Sequence, residues 1–329
     1  MSAGSSGATD LYVVLGATGG IGRAVVAEAA ARGHRVRAVS RSASAAPDLP
    51  AGVARLDADV STPAGAAAAV AGGAVVVHAA QPDYTRWRQE FPALTARVAD
   101  ATAAAGAKLV LADNLYMYGP QPDGRAVDED TPTLATDGKG RVRAAMAVDL
   151  LARASRGQLR VAIGRASDYY GPGGTTTALG ESFFPAALRG RSVNAIGSLD
   201  VPHTMSYLPD VAAGLLTLAE HDDADGRVWH LPVADPLTTR QFADLVAAEI
   251  GRPVKLRAAG VRTLRLLGLV VPMMRELAGV AYQWQHPFIV DDRAFRTAFP
   301  DGVHVTAHPD AVAVTTAWWR GHTAIPAAA

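Results

Sequence analysis

Three glycines in LYVVLGATGGIGRAVV, at Gly16, Gly19 and Gly22, are the first residues of this chain with a definite chemistry. An apolar run ends at Gly16 and an alanine-rich helical stretch follows Gly22, so the glycines occupy a strand-to-helix turn. There Gly16 permits the tight turn, Gly19 lets the backbone approach a pyrophosphate, and Gly22 lets helix and strand pack closely. With Thr18, Gly20 and Ile21 between them, the helix start offers free N–H groups and partial positive charge to phosphate oxygens. The pattern is that of a dinucleotide site. At the end of the next strand, VRAVSRS carries Ser40 and Arg41 and no ribose-binding carboxylate. Arg41, with Arg23 just past Gly22, suits a 2′-phosphate, and the residues favour NADP(H) over NAD.

A second group of reactive side chains lies further along. In LADNLYMYG, Asn114 is followed by Tyr116 and Tyr118 on a loop at a strand's carboxyl end, where α/β sheets bind ligands. Tyr116 could supply a phenolic proton there. In KGRVRAAMA, Lys139 and Arg143 are four apart on a helix and so share a face. In the second half, YQWQHPF (282–288) offers Trp284 either to a substrate wall or to core packing.

The elements that must hold these groups alternate in type. Apolar strands are expected at 11–16, 36–40, 53–60, 74–80, 108–114 and 159–167, with helices at 23–33, 66–72, 91–106 and about 139–155 between them. Such alternation implies an α/β fold, a doubly wound parallel sheet of Rossmann type, with ligands at the carboxyl ends of its strands. After Gly171 the segments become irregular, although VWHLP (228–232) still reads as a strand that rejoins the sheet. TTRQFADLVAAEIG reads as cap, helix and glycine stop at Gly251. A dinucleotide-binding domain over 9–170, with returning segments at about 201–235, and a smaller interleaved substrate domain over 171–329 are expected.

Composition narrows the chemistry further. Basic and acidic side chains balance at 31 each, so no global field points to nucleic acid or an anionic membrane. RTLR (262–265) reads as a solvated helix face. The absence of cysteine excludes disulfides, thiolate metal sites and a cysteine nucleophile. The nine histidines are scattered without paired ligand spacing, so no metal is expected, and a G-x-S-x-G elbow is absent. MSAGSSGATD lacks the pattern of an export signal, and LLGLVVPMM (266–274) is too short for a membrane span. A cytoplasmic protein with a small-molecule substrate is expected.

The order GATGGIG, Asp59-Val60, HAA at 78–80, YG at 118–119, YGPG at 170–173 and LPDVA at 208–212 resembles the extended short-chain dehydrogenase/reductase family, the NAD-dependent epimerase/dehydratases. The resemblance covers nearly the whole chain. It implies that Asp59 and Val60 contact the adenine, that His78, Ala79 and Ala80 line the cofactor, and that a homodimer can form through helices flanking the active-site helix. It also exposes departures. Asn114 stands where the family carries a catalytic Ser or Thr, Lys139 stands at the family's catalytic tyrosine and Arg143 at its lysine. Tyr118 matches a residue that usually packs, Asp168 replaces an Asn before Tyr169 and the YGPG segment, and His203 lies near the place of a substrate-contacting Arg.

Side-chain chemistry then ranks the candidates. Asn114 can donate N–H bonds to a substrate oxygen but relays no proton. Arg143 can hold a nicotinamide ribose but exchanges no proton near neutrality. Burial and the neighbouring guanidinium lower the Lys139 pKa, which makes Lys139 the first candidate for general acid or base, with Tyr116 its rival. A short likeness of KGRVRAA to isoflavone-reductase-like proteins, with a lysine on this helix, points the same way. Asp113, Tyr118, Asp168, Tyr169, His203 and Trp284 are candidates for the substrate pocket. The leading expectation is an NADP(H)-dependent oxidoreductase acting on a small carbonyl or polarised double bond. One alternative is an epimerase, isomerase or dehydratase with a tightly bound cofactor, and another is a non-catalytic, redox-sensing NADP-binding regulator.

Overall fold

The structure, a computed structural model, describes residues 10–46, 48–121 and 124–323. Residues 1–9, most of the segment read above for an export signal, lie outside the described residues. In chain order the strands are β1 (Leu11–Leu15), β2 (Arg35–Ser40), β3 (Ala54–Asp57), β4 (Val75–His78), β5 (Lys108–Asp113), β6 (Arg160–Arg165), β7 (Asp168–Tyr170), β8 (Val193–Ile196), β9 (Met205–Tyr207), β10 (Arg227–His230) and β11 (Leu256–Ala259). Seven of them form one sheet in the order β10-β6-β5-β4-β1-β2-β3, and every pairing within it is parallel. The doubly wound sheet expected from the alternation is present, and the strand containing Val228 does rejoin it beside β6.

Both faces of this sheet are apolar because successive side chains point to opposite sides. Tyr12 and Val14 enter one buried cluster, together with Val25, Val26 and Ala29 of helix α1 (Gly20–Ala31). Val13 and Leu15 enter the other, which α2 (Pro63–Val70), α3 (Trp87–Ala104) and α4 (Gly138–Ser155) cover. A third cluster lies outside the sheet. In it Phe183 and Phe184 at α5 (Phe184–Leu188) pack against Phe242 and Val246, and the paired strands β8 and β11 flank them. Helix α6 (Leu208–Glu220) supplies Leu215 and Leu216 to the first cluster, beside α1.

Local signals explain most boundaries. Thr238 and Gln241 form a reciprocal capping box at the start of α7 (Thr239–Ile250), and Gly251 ends it at φ +71°. Several boundaries differ from expectation by a few residues, and two have a visible cause. β3 is shorter than 53–60 because the chain turns at Asp59 and Thr62 caps α2 by accepting the Gly65 N–H. Helix α3 begins at Trp87, before the expected Phe91, because Asp83 starts a short 3-10 turn (Tyr84–Arg86) that runs into it. The remaining helices are α8 (Val261–Leu267), α9 (Pro272–Val280), α10 (Arg293–Ala298) and α11 (His308–His322). Among the described residues no helix is long and apolar enough to cross a membrane, and no cluster of metal-ligating side chains occurs.

Two histidines end buried strands. Burial, with Arg143 nearby, pushes His78 down from 6.5 to about 3, and burial with Arg165 pushes His230 down to about 4. Both are therefore neutral when folded, whereas the unfolded chain binds protons on them below 6.5. The stability they leave intact at neutral pH is lost as pH falls from 6.5 toward about 4. The expected slope is about 1.4 kcal/mol per pH unit for each group. Urea unfolding across that window should show it, and His78→Gln should reduce the slope; an unchanged slope would contradict this account.

Candidate active site

The sheet reverses its strand order between β1 and β4, and the crevice opens at the carboxyl ends of those strands. Gly16, at φ +80°, sits so close to the β4 exit that a Cβ there would lie 2.7 Å from the Ala80 backbone. A Cβ on Gly22 would lie 2.1 Å from the Gly16 carbonyl oxygen. Both glycines are therefore required by close approach, as the turn chemistry implied. A cavity of about 1090 Å³ extends from this turn, lined by Gly16, Thr18, Gly19, Gly20, Ile21 and Gly22.

These residues fit a dinucleotide. Gly19 opens α1 without any side-chain cap, so the N–H groups of the first turn are left for an acceptor in the cleft. Ser40, Arg41, Asp59 and Val60 line one end. Ala79, Ala80, Asn114 and Arg143 line the other. Arg143 is 5% exposed, and its Nε has no hydrogen-bond partner, which leaves a buried donor for a ligand oxygen.

Arg143 is held by a buried charge cluster. Asp113, at the end of β5, meets Arg143 Nη1 at 3.1 Å and Arg165 Nε at 3.1 Å. Arg165 donates to the Tyr118 hydroxyl at 2.8 Å, and that hydroxyl meets His230 Nε2 at 2.7 Å. Arg143 also lies over the rings of Trp87 and Phe91, at 4.6 Å and 4.5 Å. The guanidinium thus lies between a carboxylate and two aromatic faces.

Lys139 occupies the first turn of α4, whose N-cap Asp137 accepts the Lys139 and Gly140 N–H groups. Its ammonium donates to the Tyr84 carbonyl, pairs with Glu276 of α9 at 3.3 Å and lies 3.5 Å above the Tyr84 ring. Burial lowers its pKa, opposed by Glu276, and Arg143 contributes in the lowering direction. A Cβ on Gly140 would lie 2.4 Å from the Tyr116 carbonyl oxygen, so this glycine lets α4 press against the Tyr116 turn. The Tyr116 and Tyr84 phenols are neighbours, and burial raises both above their ordinary value. Asn114 accepts the Tyr116 N–H on its side-chain oxygen at 3.2 Å, leaving its amide N–H groups for an acceptor.

Across the cleft, Asp168 receives His203 Nε2 at 2.8 Å, and His203 Nδ1 lies 3.0 Å from the Gln283 carbonyl. A carbonyl can only accept, so Nδ1 donates to it, and Nε2 faces the Asp168 carboxylate. The imidazole stacks on Trp284 with ring centres 3.9 Å apart.

Most residues expected at the site are brought together, including Tyr116, Asp168, Tyr169 and Trp284 on the cleft wall. Others are placed elsewhere. Arg23, expected at a 2′-phosphate, pairs with Asp48 at 2.7 Å. His78 lies buried behind the wall near Thr95, and His203 is fully enclosed behind Asp168. Asp113 and Tyr118 belong to the buried charge cluster, and Lys139 belongs to the Tyr84–Glu276 contact; none of these lines the cleft. Sequence reasoning missed Tyr84, Trp87 and Phe91, which do line it. Their signal was the aromatic spacing in YTRWRQEF immediately after a strand end. Ser167 was also missed; its buried hydroxyl lines the cleft without a partner.

The model of the NAD dependent epimerase/dehydratase family matches residues 12–231. The chain belongs to this family. No curated protein sequence matches it. Among solved structures, a UDP-N-acetylglucosamine 4-epimerase from Bacillus cereus is similar at TM-score 0.77 and 16% identity, covering 97% of this chain and 99% of that one. A Thermus thermophilus UDP-glucose 4-epimerase in complex with NAD has TM-score 0.75 and 18% identity over 95% of this chain and 100% of its own. The dTDP-glucose 4,6-dehydratase of Streptomyces venezuelae, also with NAD bound, has TM-score 0.77 and 16% identity, covering 94% and 97%. At such identities the likeness establishes the fold. The epimerase/dehydratase family and the glycine turn together support a nicotinamide dinucleotide as cofactor.

Breaking the buried charge cluster of this family member should be costly. Asp113→Ala leaves two buried guanidiniums facing each other, and is expected to destabilise the protein by about 3–5 kcal/mol. Chemical denaturation measures this, and a loss well below that range would show that Arg143 and Arg165 find other partners.

Proposed function

We propose that the protein is an NADP(H)-dependent reductase of a small organic carbonyl or polarised double bond, with Tyr116 as proton donor. The nucleotide-binding half is taken as 9–170 with the return at 201–235, and the interleaved remainder, 171–329, closes the substrate side. When bound, the dinucleotide supplies hydride chemistry. The first turn of α1 would hold its pyrophosphate, Ser40 and Arg41 the adenosine end with its 2′-phosphate, and Arg143 the nicotinamide ribose. Support for the phosphate is the cleft-lining Arg41 together with the lack of a carboxylate at the end of β2. Arg23 is withdrawn from that role by its pairing with Asp48.

The observation that carries the reading is the Tyr116 phenol on the cleft wall beside Asn114, kept protonated by burial. Burial keeps this phenol protonated at neutral pH and also makes it a weaker acid, so it hydrogen-bonds to an oxygen gaining electron density and releases its proton only as that charge develops. It does not suit removal of a proton from an alcohol. Asn114 donates an N–H to the substrate oxygen and so polarises it. Tyr84 packs beside Tyr116, and Lys139 holds Tyr84 in place through its ring and carbonyl. Lys139 is thus a positioning residue in this reading, and the amine at the family's tyrosine position supports a phenol supplied by a different loop.

Single-turnover oxidation of NADPH by a carbonyl panel tests the assignment. Tyr116→Phe should slow the step by about 10²-fold or more, with NADPH affinity unchanged. A fully active Tyr116→Phe beside an inactive Lys139→Met would return the proton to the lysine. For the cofactor, Arg41→Ala should weaken NADPH binding by about tenfold and leave NADH binding unchanged. Tighter binding of NADH than NADPH to the intact protein would sink the 2′-phosphate assignment.

A further inference from the structure

From Gly174 onward, every described residue that lines the cleft is uncharged. The wall facing the nucleotide half is built from Leu179, Phe183, Ile196, Met273, Leu277 and Trp284. Its polar groups are hydroxyls and amides, such as Ser182 and Asn194. The cationic side chains on the cleft are Arg41, Arg86 and Arg143, and all belong to the nucleotide half. Arg86 is exposed and paired with Glu90, and Arg143 is bound to Asp113. His203, behind Asp168, is fully buried and engaged by Asp168 and Gln283.

A substrate carrying a diphosphate brings two negative charges. Buried charges need ionic partners or many hydrogen bonds, and this wall offers no cation to provide them. An apolar molecule, by contrast, gains from every apolar atom it covers. The apolar wall also reaches the surface, since Met273 lies at its edge, next in sequence to exposed Leu269, Val270 and Val271. We infer that the second substrate of this site is an uncharged, largely apolar carbonyl compound and not a nucleotide-activated sugar. The inference rests on the reductase reading above and adds the class of molecule that the opposite wall admits. The carbonyl oxygen is the one polar atom it needs, met by Asn114 and Tyr116, while its hydrocarbon part lies along α9 between Leu277 and Trp284.

Calorimetry on the NADPH-loaded protein with 2-octanone and, separately, UDP-glucose tests the inference. The ketone should bind and UDP-glucose should not. Leu277→Asp places an unpaired carboxylate in the wall and should weaken ketone binding by about tenfold or more. Met273→Arg, at the exposed edge where folding is not at stake, should weaken it in the same direction, and Leu269→Asp on the outer surface should not. UDP-glucose binding more tightly than 2-octanone, an absence of ketone binding, or ketone binding unchanged in both wall variants would overturn the inference. The NADPH titration is read first. If the intact protein fails to bind the dinucleotide, the reductase reading fails, a result distinct from a holoprotein that rejects the ketone.

Discussion

The Asp113 carboxylate, enclosed between the guanidiniums of Arg143 and Arg165, is the contact on which the rest of the site depends. It joins the end of β5 to the adjacent strand β6, where Asp113 and Arg165 are register partners, and to helix α4 through Arg143. A carboxylate 1% exposed is stable only with such partners, and two guanidiniums so close together are tolerable only with the carboxylate between them. Each charge therefore requires the others, which fixes the distance between the sheet and the helix that carries Lys139. Tyr118 and His230 extend the same network to the far edge of the sheet.

Beside this anchor the Lys139 amine lies over the ring of Tyr84, which comes from the segment after β4. The phenols of Tyr84 and Tyr116 are neighbours, and Gly140 lets the helix approach close enough to support the Tyr116 turn. Lys139 also reaches Glu276 on α9, so the contact ties the nucleotide half to the helix that walls the substrate side. One side chain thus links the helix, the aromatic loop and the opposing wall.

The two halves of the cleft differ in electrostatic character for a physical reason. A dinucleotide is polyanionic, and the half that would receive it offers uncapped N–H groups, Arg41 and Arg143. The opposite half offers rings and aliphatic groups, and Asp168 faces the cleft beside it. In the proposed reading such a division would keep a charged cofactor and an apolar reactant on separate sides of one cavity.

Periodicity and turn chemistry determined the architecture because they act over a few residues: Gly16, Gly19 and Gly22 announced the turn, apolar runs announced a sheet buried on both faces, and Thr238 with Gly251 bounded a helix. Position on the loop after β5 pointed to Tyr116, and the family resemblance pointed to Asn114 and Arg143; all three line the cleft. Local information could not tell that Arg23 would turn to Asp48, twenty-five positions away, or that Asp113 would be enclosed by two arginines. Nor could it bring Tyr84 under Lys139, a pairing across 55 positions that depends on how α3, α4 and α9 pack. Residue types and spacing decide which groups a segment offers. Which of them meet a ligand, and which are consumed by one another, is settled by long-range packing and by the need of every buried charge for a partner.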